Sequence, residues 1–171
     1  HTRSKRDWSS DVCSSDLGEQ SFHDIDEKPD LVVISPNAPD AMIQYPEECK
    51  QLDIPYLYDP SQQIPRMTGA DLKLGVEGAH ALMVNDYEFE LIKKHTGMSE
   101  SVIMEGRRFT VITRGEDGAS IYADGQEINT PIVSPYKIAD PTGVGDAFRG
   151  GFLTGVSHNL DWEICGKIGA L

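Results

Sequence analysis

Long apolar runs are missing from this 171-residue chain, cysteines are few, and basic residues are scarce. Each shortage excludes something. Without a run of eighteen or more apolar residues, no transmembrane helix is expected. Cys13, Cys49 and Cys165 are odd in number and widely scattered, with no CxxC or Cys/His spacing. That pattern argues against both a disulfide framework and a zinc site, and it suits a reducing cytoplasm. The histidines (His1, His23, His80, His95 and His158) are equally dispersed, and none has a partner at ligand spacing. With 15 Lys and Arg against 28 Asp and Glu, the net charge is −13. Such a field repels phosphate backbones and anionic lipid, so neither nucleic acid nor a membrane is an expected partner. A small anion is still allowed, because backbone N–H groups can hold one locally.

What is present is the composition of a globular domain. Hydrophobic residues make up 39% and charged residues 25%, in a chain long enough for one proper core. The first seventeen residues, "HTRSKRDWSSDVCSSDL", stand apart: serine-rich, with basic and acidic charges that cancel and no hydrophobic period. They lack the apolar centre of a signal peptide and the acid-poor character of a transit peptide. Residues 1–17 are therefore expected to be a non-native or disordered leader. Residues 18–171 read as one domain, expected to be truncated because the chain stops inside an apparent helix at "CGKIGAL".

From residue 31 onward strands and helices alternate. "LVVIS" (31–35), "IPYLYD" (54–59), "HALMV" (80–84) and "FTVIT" (109–113) are short bounded apolar runs and predict strands. Between them, helices are predicted at 39–51, where Pro46 should kink or split the turn, and at 69–79, 85–97 and 99–106. Strands spaced by helices imply βαβ units and a mainly parallel sheet. "ASIYADGQEINTPIV" (119–133) changes the period to that of a hairpin turning at Asp124-Gly125, an antiparallel edge. Helices at 146–157 and 161–171 complete a doubly wound α/β fold.

The stretch least explained by folding is "DPTGVGDAFRGGFLTG" (140–155). Gly143 and Gly145 permit positive φ and leave successive N–H groups free to point into one space. The helix that follows adds its unpaired N–H groups and positive dipole end, making a cradle for a phosphate. Asp146 sits beside that cradle. A carboxylate repels a static phosphate but can accept the proton of a hydroxyl attacking phosphorus. Taken alone, the same residues make an N-terminal cap and a tight bend.

Two further motifs lie at strand ends. Asn85-Asp86-Tyr87-Glu88 follows the third strand, and Thr113-Arg114-Gly115-Glu116-Asp117-Gly118 ends the fourth. Each has a plain structural explanation, a capping box for the first and a turn for the second. Their common position matters more, since nucleotides bind at the carboxyl ends of strands in such sheets.

Together these stretches resemble the PfkB (ribokinase-like) family of carbohydrate and nucleoside kinases. The likeness runs over roughly residues 24 to 171, and within the family 140–155 is most similar to bacterial adenosine kinases. Val144 departs from the usual Ala, although its N–H survives. The resemblance implies a ribokinase-like fold and ATP-dependent phosphotransfer to a hydroxymethyl group of adenosine or another nucleoside, or of a sugar. It implies Asp146 as general base and the backbone of Gly143, Val144, Gly145 and Asp146 as anion hole. Thr113, Gly115, Gly118, Asn85, Glu88, Asp140 and Thr142 would lie against the nucleotide, with Mg2+ reached from Glu88 through water. A homodimer is one option for the full-length protein. Nothing here matches the family's di-glycine substrate motif or its far C-terminal helices, so this chain by itself is expected to be inactive. A non-catalytic nucleotide-binding fragment is the alternative in another class. A dehydrogenase is rejected, because "LVVISPNAPDAM" carries no G-x-G-x-x-G after the first strand.

Overall fold

Six strands form one sheet in chain order, β1 (Val32–Ile34), β2 (Tyr56–Tyr58), β3 (Ala81–Asn85), β4 (Phe109–Thr113), β5 (Ala119–Ala123) and β6 (Gln126–Thr130). In this computed structural model, residues 20–133 and 143–171 are described. The expected leader at 1–17, and Asp140 and Thr142, lie outside them. β1 to β4 pair in parallel, and β4, β5 and β6 pair antiparallel. The expected mainly parallel sheet with an antiparallel edge is therefore present. No helix among the described residues is long and apolar enough to cross a membrane.

Alternation along the parallel strands divides the core in two. Leu82 and Val84 of β3 join Tyr56, Tyr58 and Ile112 in one buried cluster, while Ala81 and Met83 join Leu57, Phe109 and Val111 in the other. Side chains at successive strand positions point to opposite faces, so apolar residues at every position demand a cover on both. The first face is covered by α1 (Pro39–Gln51), α2 (Gly69–Gly78), α3 (Asp86–Thr96) and α4 (Glu100–Met104). The second is covered by α5 (Val144–Ser157) and α6 (Trp162–Gly169).

Local signals explain most boundaries. α3 starts on a capping box and stops at Gly97, whose φ of 70° is left-handed. The hairpin turns at Asp124 and Gly125 with φ of 52° and 73°, the pair of positive values that a tight two-residue turn requires. Trp162 Nε1 donates to Asp124 Oδ2 at 2.7 Å and ties α6 to that turn.

Two expectations need correcting. α1 runs unbroken through Pro46, which is buried, so the proline does not split it. The hydrogen bond lost at Pro46 is outweighed by burial of Ala41, Met42 and Cys49 along the same face. α5 begins two residues earlier than the sequence suggests, at Val144, because Gly143 caps it in the left-handed region with φ 80°.

Candidate active site

The parallel strands all point their carboxyl ends at one edge of the sheet, and a cleft of about 240 Å³ opens there. Asn85 ends β3 and Thr113 ends β4, and the two are register partners. Both line the cleft, together with Glu88 of α3. From the other side, the start of α5 brings Gly143, Gly145, Asp146 and Arg149 to the same space.

The Gly143–Asp146 segment opens α5 at the cleft. Gly143 alone needs the left-handed region; Gly145 has no positive φ and lies inside the first helical turn. The expectation that both glycines supply positive φ is thus corrected for Gly145. A side chain added at Gly145 would meet nothing within 4 Å, so what its glycine preserves is open space at the cleft. Val144 is exposed and Asp146 occupies the third helical position. The remaining glycines of the stretch act elsewhere. A Cβ at Gly151 would come within 2.6 Å of the Ile168 carbonyl and one at Gly155 within 2.8 Å of Cys165 Sγ, so these two let α6 pack closely.

Asn85 and Glu88 bond each other at the start of α3. Asn85 Oδ1 accepts from the Glu88 N–H at 2.7 Å, and Glu88 Oε2 accepts from the Asn85 N–H at 2.8 Å. Glu88 Oε1 also accepts from Ser61 Oγ at 3.1 Å. Ser61 reaches it from an unusual backbone, φ 38° in a non-glycine residue, at the start of the 3₁₀ turn Ser61–Arg66. With both carboxylate oxygens used by protein donors, Glu88 fits a magnesium ion met through water better than one bound directly. No cluster of three or more metal-binding side chains occurs among the described residues.

The motif after β4 is brought to the cleft only in part. Thr113 lines it, whereas Gly115 and Gly118 do not. They belong to a turn closed by Arg114 N–H donating to the Gly118 carbonyl at 2.7 Å. Gly118, at φ 84°, also lies against the Thr130 carbonyl with no room for a side chain. Phe148 and Phe152 lie on the core side of α5, with Phe152 wholly buried and the two rings stacked 6.1 Å apart.

Two residues at this edge, Ser35 and Asp59, lie outside every motif, and a third, Arg149, lies within 140–155 with no role assigned to it there. Asp59 ends the second strand region and is almost fully buried. Its Oδ2 takes an ion pair from Arg149 Nη2. Arg149 Nη1 then donates to Ser35 Oγ at 3.2 Å and to Asp146 Oδ1 at 3.0 Å. Burial pushes the Arg149 guanidinium down from its usual range, though it stays a cation. Ser35, Asp59 and Arg149 are far apart in sequence, and only the "YD" end of a strand hinted at the carboxylate.

Comparison with known proteins gives the family and the fold. Residues 5–171 match the model of the pfkB family of carbohydrate kinases. A nucleoside kinase of Methanocaldococcus jannaschii is 33% identical over 113 residues, 66% of this chain and 37% of that protein. The structure of the Burkholderia thailandensis nucleoside kinase in complex with ADP-inosine is 37% identical, with a TM-score of 0.81 over 90% of this chain and 46% of that one. The Methanocaldococcus jannaschii nucleoside kinase structure, described as an archaeal member of the ribokinase family, is 27% identical with a TM-score of 0.80, covering 90% and 50%. The chain thus spans about half the length of the solved relatives, and less of the curated one.

Proposed function

Because the chain belongs to the pfkB family of carbohydrate kinases, we propose that it serves ATP-dependent phosphotransfer to a hydroxymethyl group of a nucleoside. The observation that carries this is the placement of Asp146. Its carboxylate lies in the first turn of α5, next to the left-handed Gly143, and faces the same cleft as Asn85 and Thr113. ATP supplies the phosphoryl group. The free N–H groups at the start of α5 face the anion and favour negative charge as it develops on the transferring oxygens. An Asp146 oxygen accepts the proton leaving the substrate hydroxyl as that oxygen bonds to the γ-phosphorus of ATP, while the bond from phosphorus to the bridging oxygen breaks and ADP leaves. Glu88 and Asn85 close the far side of the cleft and would meet magnesium through water.

Nucleosides are favoured over free sugars by the relatives. The solved Burkholderia protein is named a nucleoside kinase and holds ADP-inosine, and the curated Methanocaldococcus relative is likewise a nucleoside kinase. Those names support the class more than adenosine in particular. A sugar kinase is the second reading, since the family description itself is of carbohydrate kinases.

An ADP-release assay on the complete gene product tests both. Adenosine or inosine should outcompete ribose and fructose in kcat/KM. Asp146→Asn should lower kcat by ~10²–10⁴-fold with little change in ATP affinity. Near wild-type turnover in that variant removes Asp146 from the chemistry. A clear preference for ribose or fructose moves the protein to the sugar kinases.

A further inference from the structure

Asp146 has a problem that the general-base reading leaves open. Its side chain is 78% exposed, at the start of a helix, with little packing to select one rotamer. A base must sit within hydrogen-bond reach of the proton it takes, and a mobile carboxylate spends most of its time elsewhere. Among the described residues its side-chain partner is Arg149, one turn along the same helix face. An ion pair between two free side chains would fix little.

Arg149 is not free. Its side chain is 16% exposed, and Nη2 is ion-paired to Asp59, whose side chain is 5% exposed. Nη1 is held by Ser35 Oγ as well as by Asp146. The guanidinium is planar, so holding Nη2 on Asp59 and one hydrogen of Nη1 on Ser35 sets the direction in which the other Nη1 hydrogen meets Asp146. Asp59 also offsets the cationic charge. The three ionic groups together carry one net negative charge, so no surplus cation is left over for the phosphate. We propose that Arg149 is the positioning residue for Asp146, braced from behind by Asp59 and Ser35, and aims its carboxylate into the cleft. This rests on Asp146 being the general base.

Removing Arg149 alone would strand a buried Asp59 carboxylate and threaten folding. The test variant therefore removes both charges, Arg149→Met with Asp59→Asn, in the complete gene product, with inosine and ATP as substrates and a thermal melt to check folding. The expected result is kcat lower by about 10- to 100-fold, with both KM values within about threefold of wild type. Adding Asp146→Asn should bring no further loss beyond Asp146→Asn alone, because a residue acting only through Asp146 has nothing left to act on. Arg149→Lys keeps the charge and loses the fork, and should fall between, which keeps the test open if the paired variant does not fold. Wild-type kcat in the paired variant, a change confined to KM, or losses that multiply with Asp146→Asn would each overturn the proposal. The last of these would make Arg149 a direct substrate contact. Wild-type kcat in Asp146→Asn alone is a separate failure, that of the base itself.

Discussion

Asn85 and Thr113 are register partners across the β3–β4 pair, so two loops far apart in the chain arrive side by side at the mouth of one cleft. Neither residue is there by its own local preference. Parallel pairing of β3 with β4 carries both to the same sheet edge, and the N-terminus of α5 closes the space from the other face of the sheet.

The capping role of Asn85 and its place in the cleft separate in one substitution. Aspartate caps helices as well as asparagine does, so Asn85→Asp should keep stability within about 0.5 kcal/mol. It also adds a negative charge on the side of the cleft proposed to meet magnesium, so the KM for ATP should change several-fold. Chemical denaturation and steady-state kinetics read the two effects. An unchanged KM would confine Asn85 to capping.

Gly143 and Gly145 should fail in different ways. Gly143→Ala puts a side chain on a left-handed residue and costs about 1–2 kcal/mol, although the space around it is open. Gly145→Ala sits in helical backbone, where alanine is favoured over glycine by about 1 kcal/mol or less. It should fold at least as well as wild type and lose activity, because its methyl enters the space proposed for the phosphate. Full activity in Gly145→Ala would sink the anion-hole assignment for that residue.

Acid should loosen the segment before β1. Burial raises the Glu48 carboxyl, but hydrogen bonds from the Phe22 N–H, Gln44 and Ser21 outweigh it and hold the group below the usual value of 4.5. A carboxylate depressed in the folded state contributes stability that is fully present above the unfolded value and lost as pH falls through the folded one. Glu48→Gln should therefore be less stable than wild type at neutral pH, with the gap closing below about pH 4.5. Urea melts across that range measure it; a gap that widens in acid contradicts the assignment.

Thiol chemistry offers a check on the core. Cys49 is fully buried, and burial, aided by neighbouring Glu48, pushes its thiol up to about 11. Burial pushes Cys165 up as well. Among the described residues neither has a disulfide partner. Iodoacetamide near pH 8 should leave both unmodified in the folded protein and alkylate both in denaturant, as peptide mass mapping would show. Rapid native labelling at Cys49 would mean that α1 does not pack as described.

By itself the sequence determined whatever depends on neighbours in the chain. Period-2 and period-3.6 patterns specified the strands and helices, Asp124-Gly125 the hairpin, Asn85 and Gly97 the two ends of α3, and Gly143-Val144-Gly145-Asp146 the glycine-flanked carboxylate. Where tertiary packing competes with local preference, the sequence was a poor guide: burial keeps α1 intact through Pro46, and Gly145 is helical despite its freedom to be otherwise. The bracing of Asp146 was decided only in three dimensions. Ser35, Asp59 and Arg149 belong to separate βα units, and no spacing rule links them. They meet because parallel strands deliver their carboxyl ends to one edge, and because a charge buried there needs an opposite charge from whichever element covers it.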